Sequence, residues 1–127
     1  MKQEKFSLKK RLKSFVYAFN GLFFMLKNEH NSRIHLFVAI CVIIAGFLFK
    51  ISVIEWISVV FACGLVFVAE IFNSSIEQLA DYVSSEPNEK IKIGKDLAAA
   101  SVLVAAFIAV IIGLIIFVPY IIKIFCL

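Results

Sequence analysis

Three long apolar stretches constrain this chain more than any other feature. The first runs from about Ile34 to Phe49, the second from about Ile51 to Phe72, and the third from about Leu97 to Ile122. A helix needs about 20 residues, at 1.5 Å each, to cross the hydrocarbon of a bilayer. The second and third stretches reach that length, and the first reaches it by borrowing Asn31–Arg33 and Lys50 at its ends. Hydrophobic residues make up 62% of the 127 positions, against roughly 45–50% in an ordinary soluble domain. A globule this small hides only about two-thirds of its surface, so it has no interior for so much apolar material. The pattern excludes an ordinary soluble enzyme, a disordered tail and a secreted disulfide scaffold. The three cysteines, Cys41, Cys63 and Cys126, lie in apolar runs and read as small hydrophobes rather than as disulfides or a metal set.

The predicted fold is therefore an all-α integral membrane protein, a single membrane domain over residues 1–127. Transmembrane helices are expected at about 31–50, 51–83 and 95–123, the first two forming a tight hairpin around Lys50. Ahead of them, residues 6–28 carry helical periodicity. Leu8, Leu12, Phe15, Phe19, Leu22, Phe23 and Leu26 share one arc, while Lys9, Lys13, Asn20 and Lys27 share the other. Aromatic residues beside lysines suit an amphipathic helix lying in the membrane interface; a helix packed on the bundle as in a soluble protein is the alternative. The longest apolar run here, Gly21–Leu26, is too short for a signal peptide.

Eleven of the thirteen Lys and Arg residues fall in residues 1–33 or 73–96, which places both segments on the cytoplasmic side of an inner membrane and the C-terminus outside. A basic helix beside apolar spans suits an anionic membrane surface, and no nucleic-acid-binding module is visible.

The chemistry concentrates where the second span leaves the membrane, at Glu70-Ile-Phe-Asn73-Ser-Ser-Ile-Glu77-Gln-Leu-Ala-Asp81. On a helix, Glu70, Glu77 and Asp81 fall within about 40° of one another, with Asn73 about 60° to one side. An acidic stripe can simply face water, but two turns of apolar residues precede Glu70, and a carboxyl group inside a bilayer costs on the order of 3 kcal/mol. Lys95 and Asp96 stand just before the third span. Glu29 and Arg33 stand just before the first, where an i,i+4 ion pair is an equally good explanation. If the helices close into a bundle, Glu29, Glu70, Glu77, Asp81, Lys95 and Asp96 meet at one depth. Clustered carboxylates beside a lysine suit Mg²⁺ and phosphate oxygens. The chain has neither a G-x-x-x-x-G-K-[ST] loop nor a G-x-G-x-x-G fingerprint. His30 and His35 fall on different helix faces, which argues against a zinc pair and makes His35 an interfacial side chain.

These residues resemble the prokaryotic diacylglycerol kinases and their undecaprenol kinase relatives, over roughly residues 10–118. The motif Glu70-x-x-Asn73-x-x-x-Glu77, then Asp81 and Lys95-Asp96-Leu-Ala-Ala-Ala, carries the likeness, with Asn28-Glu29-His-Asn31-Ser-Arg33 and Lys13-Ser-Phe-Val-Tyr17 adding to it. The resemblance implies a homotrimer with sites shared between protomers, moving the γ-phosphoryl group of Mg-ATP to a lipid alcohol. It implies Glu70 as the catalytic base, with Asn73 beside it, and Glu29 and Glu77 as ligands of Mg²⁺ bridging to the nucleotide. Lys10 or Arg11, Tyr17, Ser85 and Glu86, Lys95 and Asp96 are the implied nucleotide contacts; position 10 is Lys where Arg is expected. Ala99 stands where members specific for diacylglycerol typically have Ser. Together with Ile54-Glu55-Trp56, it favours undecaprenol mildly over diacylglycerol. The rival reading is a non-enzymatic membrane protein with Glu70 as a proton or cation site. Against it, a proton path needs acids through the bilayer, and these lie at one edge. A third reading, an assembly protein whose acids pair with Lys95 and Arg33, ranks last.

Overall fold

The computed structural model describes residues 5–84 and 86–126. Among them the chain is all α: α1 (Leu8–Asn28), α2 (His30–Phe49), α3 (Val53–Val83) and α4 (Glu89–Phe125). Helices α2, α3 and α4 are each long and apolar enough to cross a membrane, and the chain is a multi-pass membrane protein by that pattern. At 1.5 Å per residue α3 runs about 46 Å, well beyond a hydrocarbon core of about 30 Å, so one end of it must project. That surplus is what carries the acidic stripe out of the apolar zone.

Local signals explain the breaks. Ser7 caps α1 by accepting from the Lys10 amide at 3.4 Å. Only Glu29, extended at φ −118° and ψ 124°, separates α1 from α2. At the other end of α2, Lys50 takes the left-handed conformation, φ 53° and ψ 55°. Its N–H reaches the Phe47 carbonyl at 3.3 Å, and the Ile51 N–H reaches Gly46 at 3.2 Å. These two bonds form a Schellman turn, with buried Ile51 as its apolar anchor. A capping box follows at once: Ser52 Oγ accepts from the Glu55 amide and Glu55 Oε1 accepts from the Ser52 amide. Two consecutive capping devices make the hairpin as tight as expected.

The third span differs from expectation at its start. Helix α4 begins at Glu89 rather than near residue 95, because the Asn88 side chain accepts from the Lys90 and Ile91 amides and starts a helix in polar sequence. Apolar residues mark where the membrane can begin, whereas the cap marks where the helix begins.

The core sits at the hairpin end, where Ile51, Val59 and Ile116 are buried with Trp56, Phe49 and Tyr120 packed around them. Elsewhere large apolar side chains of all three long helices stay exposed, among them Phe61, Leu103 and Phe107, as in helices that meet lipid or another chain. On α1 the apolar arc is also uncovered; only Met25 is buried. The antiparallel order brings the start of α2, the end of α3 and the start of α4 to the end of the molecule opposite the hairpin. That end holds the candidate site.

Candidate active site

Glu70 is the centre of this end. It is 1% exposed, although it carries a carboxylate. Ser32, 0% exposed, donates to Glu70 Oε2 at 3.5 Å, and His35 Nε2 lies 3.1 Å from Oε1. The imidazole is off the axis of a hydrogen bond, so Oε1 has no hydrogen-bond partner among the described residues. Asn73 Oδ1, one turn further along α3, is also buried without a partner among the described residues. Two adjacent orphan acceptors are costly in isolation. They are suited to a ligand that brings an O–H or N–H donor.

Glu29 occupies the single residue between α1 and α2, the N-cap position of the following helix. Here its side chain makes no cap bond. Instead Oε1 accepts from Ser74 of α3 at 2.6 Å and Oε2 accepts from Ser32 at 3.4 Å. The Ser74 hydroxyl thus aims the Glu29 carboxylate at α3, while the Ser32 hydroxyl stands between Glu29 and Glu70. Arg33 does not form the carboxylate pair that its spacing allowed: it reaches the Glu29 backbone carbonyl at 3.4 Å. Glu77 lies one helical turn beyond Ser74 on α3, between Glu70 and Asp81.

A second group lies further out. Lys95 Nζ pairs with Asp81 Oδ1 at 2.9 Å, joining α4 to α3, and Lys92 pairs with Asp96 at 2.9 Å. With Glu86 and Asn88 they line a cleft of about 780 Å³. Ser85 lies outside the described residues. Within one chain the acids therefore gather in two groups, Glu29–Glu70 and Asp81–Asp96, with Glu77 between them. Of the α1 candidates, Tyr17 is exposed and Arg11 lies over the Phe6 ring at 5.7 Å from its centre. Lys10, also on α1, is exposed. Ala99 is exposed on α4. Beside the Glu70–His35 pair lies an apolar cavity of about 440 Å³, lined by Ile34, His35, Val38, Val66 and Phe67 among others.

No three His, Cys, Asp or Glu side chains converge on a metal position among the described residues. The oxygen-only donors still fit Mg²⁺, which takes one or two carboxylates and completes its octahedron with water and substrate phosphate.

The sequence is matched over residues 16–117 by the family model for prokaryotic diacylglycerol kinases. The chain belongs to that family. It is 37% identical over 118 residues to the undecaprenol kinase of Bacillus subtilis, covering 93% of this chain and 96% of that one. It is 37% identical over 103 residues to a diacylglycerol kinase of Synechocystis sp., covering 80% of this chain and 59% of the longer relative. To the diacylglycerol kinase of Escherichia coli it is 34% identical over 101 residues, 79% of this chain and 82% of the relative. It is thus a membrane protein of a lipid-kinase family.

Ser32, Ser74 and the contact of His35 with Glu70 escape sequence reasoning. Serines inside a helix carry no signature. The one available clue was a small polar residue one turn from an acid, at Ser32 and again at Ser74.

Proposed function

We propose that the chain transfers the γ-phosphoryl group of Mg-ATP to the hydroxyl of a membrane lipid alcohol, undecaprenol in preference to diacylglycerol. The observation that carries this reading is the buried Glu70 carboxylate, whose Oε1 lacks a donor among the described residues and lies beside an apolar cavity in a lipid-kinase family member. The apolar part of an alcohol suits the cavity, and its hydroxyl suits Oε1. Glu70 takes the hydroxyl proton as the alcohol oxygen bonds to the γ-phosphorus and the bond to the β-phosphate oxygen breaks, releasing ADP. Asn73 donates an amide N–H to the oxygen of the same hydroxyl, whose one proton goes to Glu70. Phosphoryl transfer asks mainly for positioning and charge neutralisation, so the chain supplies orientation and charge. Glu29 and Glu77 would hold Mg²⁺, which when bound neutralises charge on the phosphates. Lys95 and Asp96, with Glu86, receive the nucleotide in the outer cleft. Lys10, Arg11 and Tyr17 reach it from α1, and Ala99 lies toward the acceptor.

The same proposal covers assembly and placement. The protein is a single membrane domain in the inner membrane, its N-terminus and the Glu29–Asp96 end cytoplasmic, its C-terminus outside. Helix α1 lies in the interface with its bare apolar arc in lipid, and three copies form a homotrimer with sites shared between protomers.

The test is radiolabelled ATP with purified protein in mixed micelles containing undecaprenol or diacylglycerol. Transfer is expected to both, faster to undecaprenol. Glu70→Gln should lower turnover by about 10²–10⁴-fold, the contribution of a positioned general base. A Glu70→Gln variant with full turnover would contradict the assignment.

A further inference from the structure

Glu70 is gripped from α2 rather than from its own helix. Its Oε2 accepts from the Ser32 hydroxyl, and its Oε1 stands beside His35 Nε2. Ser32 and His35 are three residues apart, so they share one face of α2 and meet the carboxylate as a pair. The grip matters because of burial. With Ser32 and Glu70 both shut off from solvent, water does not compete for the carboxylate, and the side chains of α2 decide how it points.

The hydroxyl proton of Ser32 faces two acids, Glu29 Oε2 at 3.4 Å and Glu70 Oε2 at 3.5 Å. One proton serves one acceptor at a time. Glu29 already has a shorter bond, from Ser74 at 2.6 Å. Ser32 is therefore available to Glu70, and Glu29 keeps its aim without it.

We propose that Ser32 and His35 are positioning residues that set the rotation of the Glu70 carboxylate and leave Oε1 open to the acceptor hydroxyl. The inference rests on the reading of Glu70 as the base. Ser32 ties down Oε2. The imidazole blocks rotation from the Oε1 side, and because it is off the hydrogen-bond axis it does not occupy the lone pair that the hydroxyl needs. Both residues act through Glu70.

The test uses the full chain in mixed micelles with Mg-ATP and undecaprenol, measuring kcat and both KM values for wild type, Ser32→Ala, His35→Ala and His35→Gln. A misaimed base costs rate rather than binding. Ser32→Ala and His35→Ala should each lower kcat about tenfold to a hundredfold, with KM for ATP and undecaprenol within about twofold of wild type. His35→Gln puts an amide nitrogen at a reach comparable to Nε2, and should recover most of the kcat lost in His35→Ala. Wild-type kcat in Ser32→Ala or His35→Ala overturns the inference, as does a loss confined to KM for the lipid. Should Ser32→Ala fail to fold, the comparison of His35→Gln with His35→Ala decides, and equal kcat in those two overturns the inference. An active wild type with active variants overturns this inference alone. A wild type that phosphorylates neither undecaprenol nor diacylglycerol overturns the proposed function and this inference with it.

Discussion

At the scale of single residues, the site is built from acids that are aimed by hydroxyls. Glu29 occupies a cap position but gives no side-chain cap bond to α2, and its carboxylate is instead tied to Ser74 of α3 at 2.6 Å. A metal-binding carboxylate fixed by a hydrogen bond loses affinity when that bond is removed, typically by about tenfold to a hundredfold. Ser74→Ala should therefore raise the Mg²⁺ concentration for half-maximal turnover by about tenfold, and excess Mg²⁺ should restore most of the rate. A titration of turnover against Mg²⁺ at fixed ATP measures this; an unchanged midpoint would contradict the proposed role of Glu29 as a Mg²⁺ ligand. The acids themselves were legible from the sequence, because helical periodicity places Glu70, Glu77 and Asp81 on one stripe and apolar residues precede the first of them. Their donors were not. A serine in a helix is equally at home facing solvent, its own backbone or a carboxylate across the bundle, and only the crossing of α2 over α3 selects among these. The same holds for His35: its helical register was readable, but its contact with Glu70 depends on how two helices approach.

At the scale of elements, the hairpin end acts as the rigid base from which α3 projects. Gly46 in α2 lies against Trp56 in α3. A Cβ at Gly46 would stand 2.6 Å from the indole Cη2, and that ring is packed in the core cluster. Gly46→Ala overpacks this contact and should destabilise the protein by about 1–3 kcal/mol, read as a lower unfolding midpoint in detergent. Lys50 offers the opposite case. It adopts a left-handed conformation that costs an L-residue roughly 1–2 kcal/mol, part of which glycine returns through its freer unfolded chain. Lys50→Gly should raise the same midpoint slightly, and a fall would mean that the lysine side chain contributes more than the turn costs. Tyr120 closes the structure from α4 by donating to Glu55 Oε1 at 2.6 Å, the same oxygen that completes the capping box. The hairpin could be foreseen from two breaker-poor apolar runs meeting near Lys50. The early start of α4 could not be read from apolarity, since Glu89–Asp96 is polar and only the Asn88 cap announces a helix there.

At the scale of the whole molecule, one chain leaves its groups divided. Glu29, Ser32, His35, Glu70 and Ser74 form one cluster, while Asp81, Lys95, Lys92 and Asp96 form another around the outer cleft. The apolar arc of α1 and the outer faces of the long helices are uncovered, as in helices that meet lipid or another chain. If a working site takes Glu70 from one protomer and Asp96 from a neighbour in a homotrimer, two inactive variants can complement each other. Each site in a random mixture of Glu70→Gln and Asp96→Asn chains then requires an intact Glu70 on one side and an intact Asp96 on the other, each with an even chance. Co-refolded at equal amounts, the two variants should regain roughly a quarter of wild-type turnover, although each alone has almost none. If both residues act within one chain, every site in the mixture carries a defect and turnover stays at the level of the separate variants. The comparison needs only the mixed and unmixed samples assayed side by side, and it separates a shared site from a self-contained one irrespective of which lipid alcohol is the acceptor.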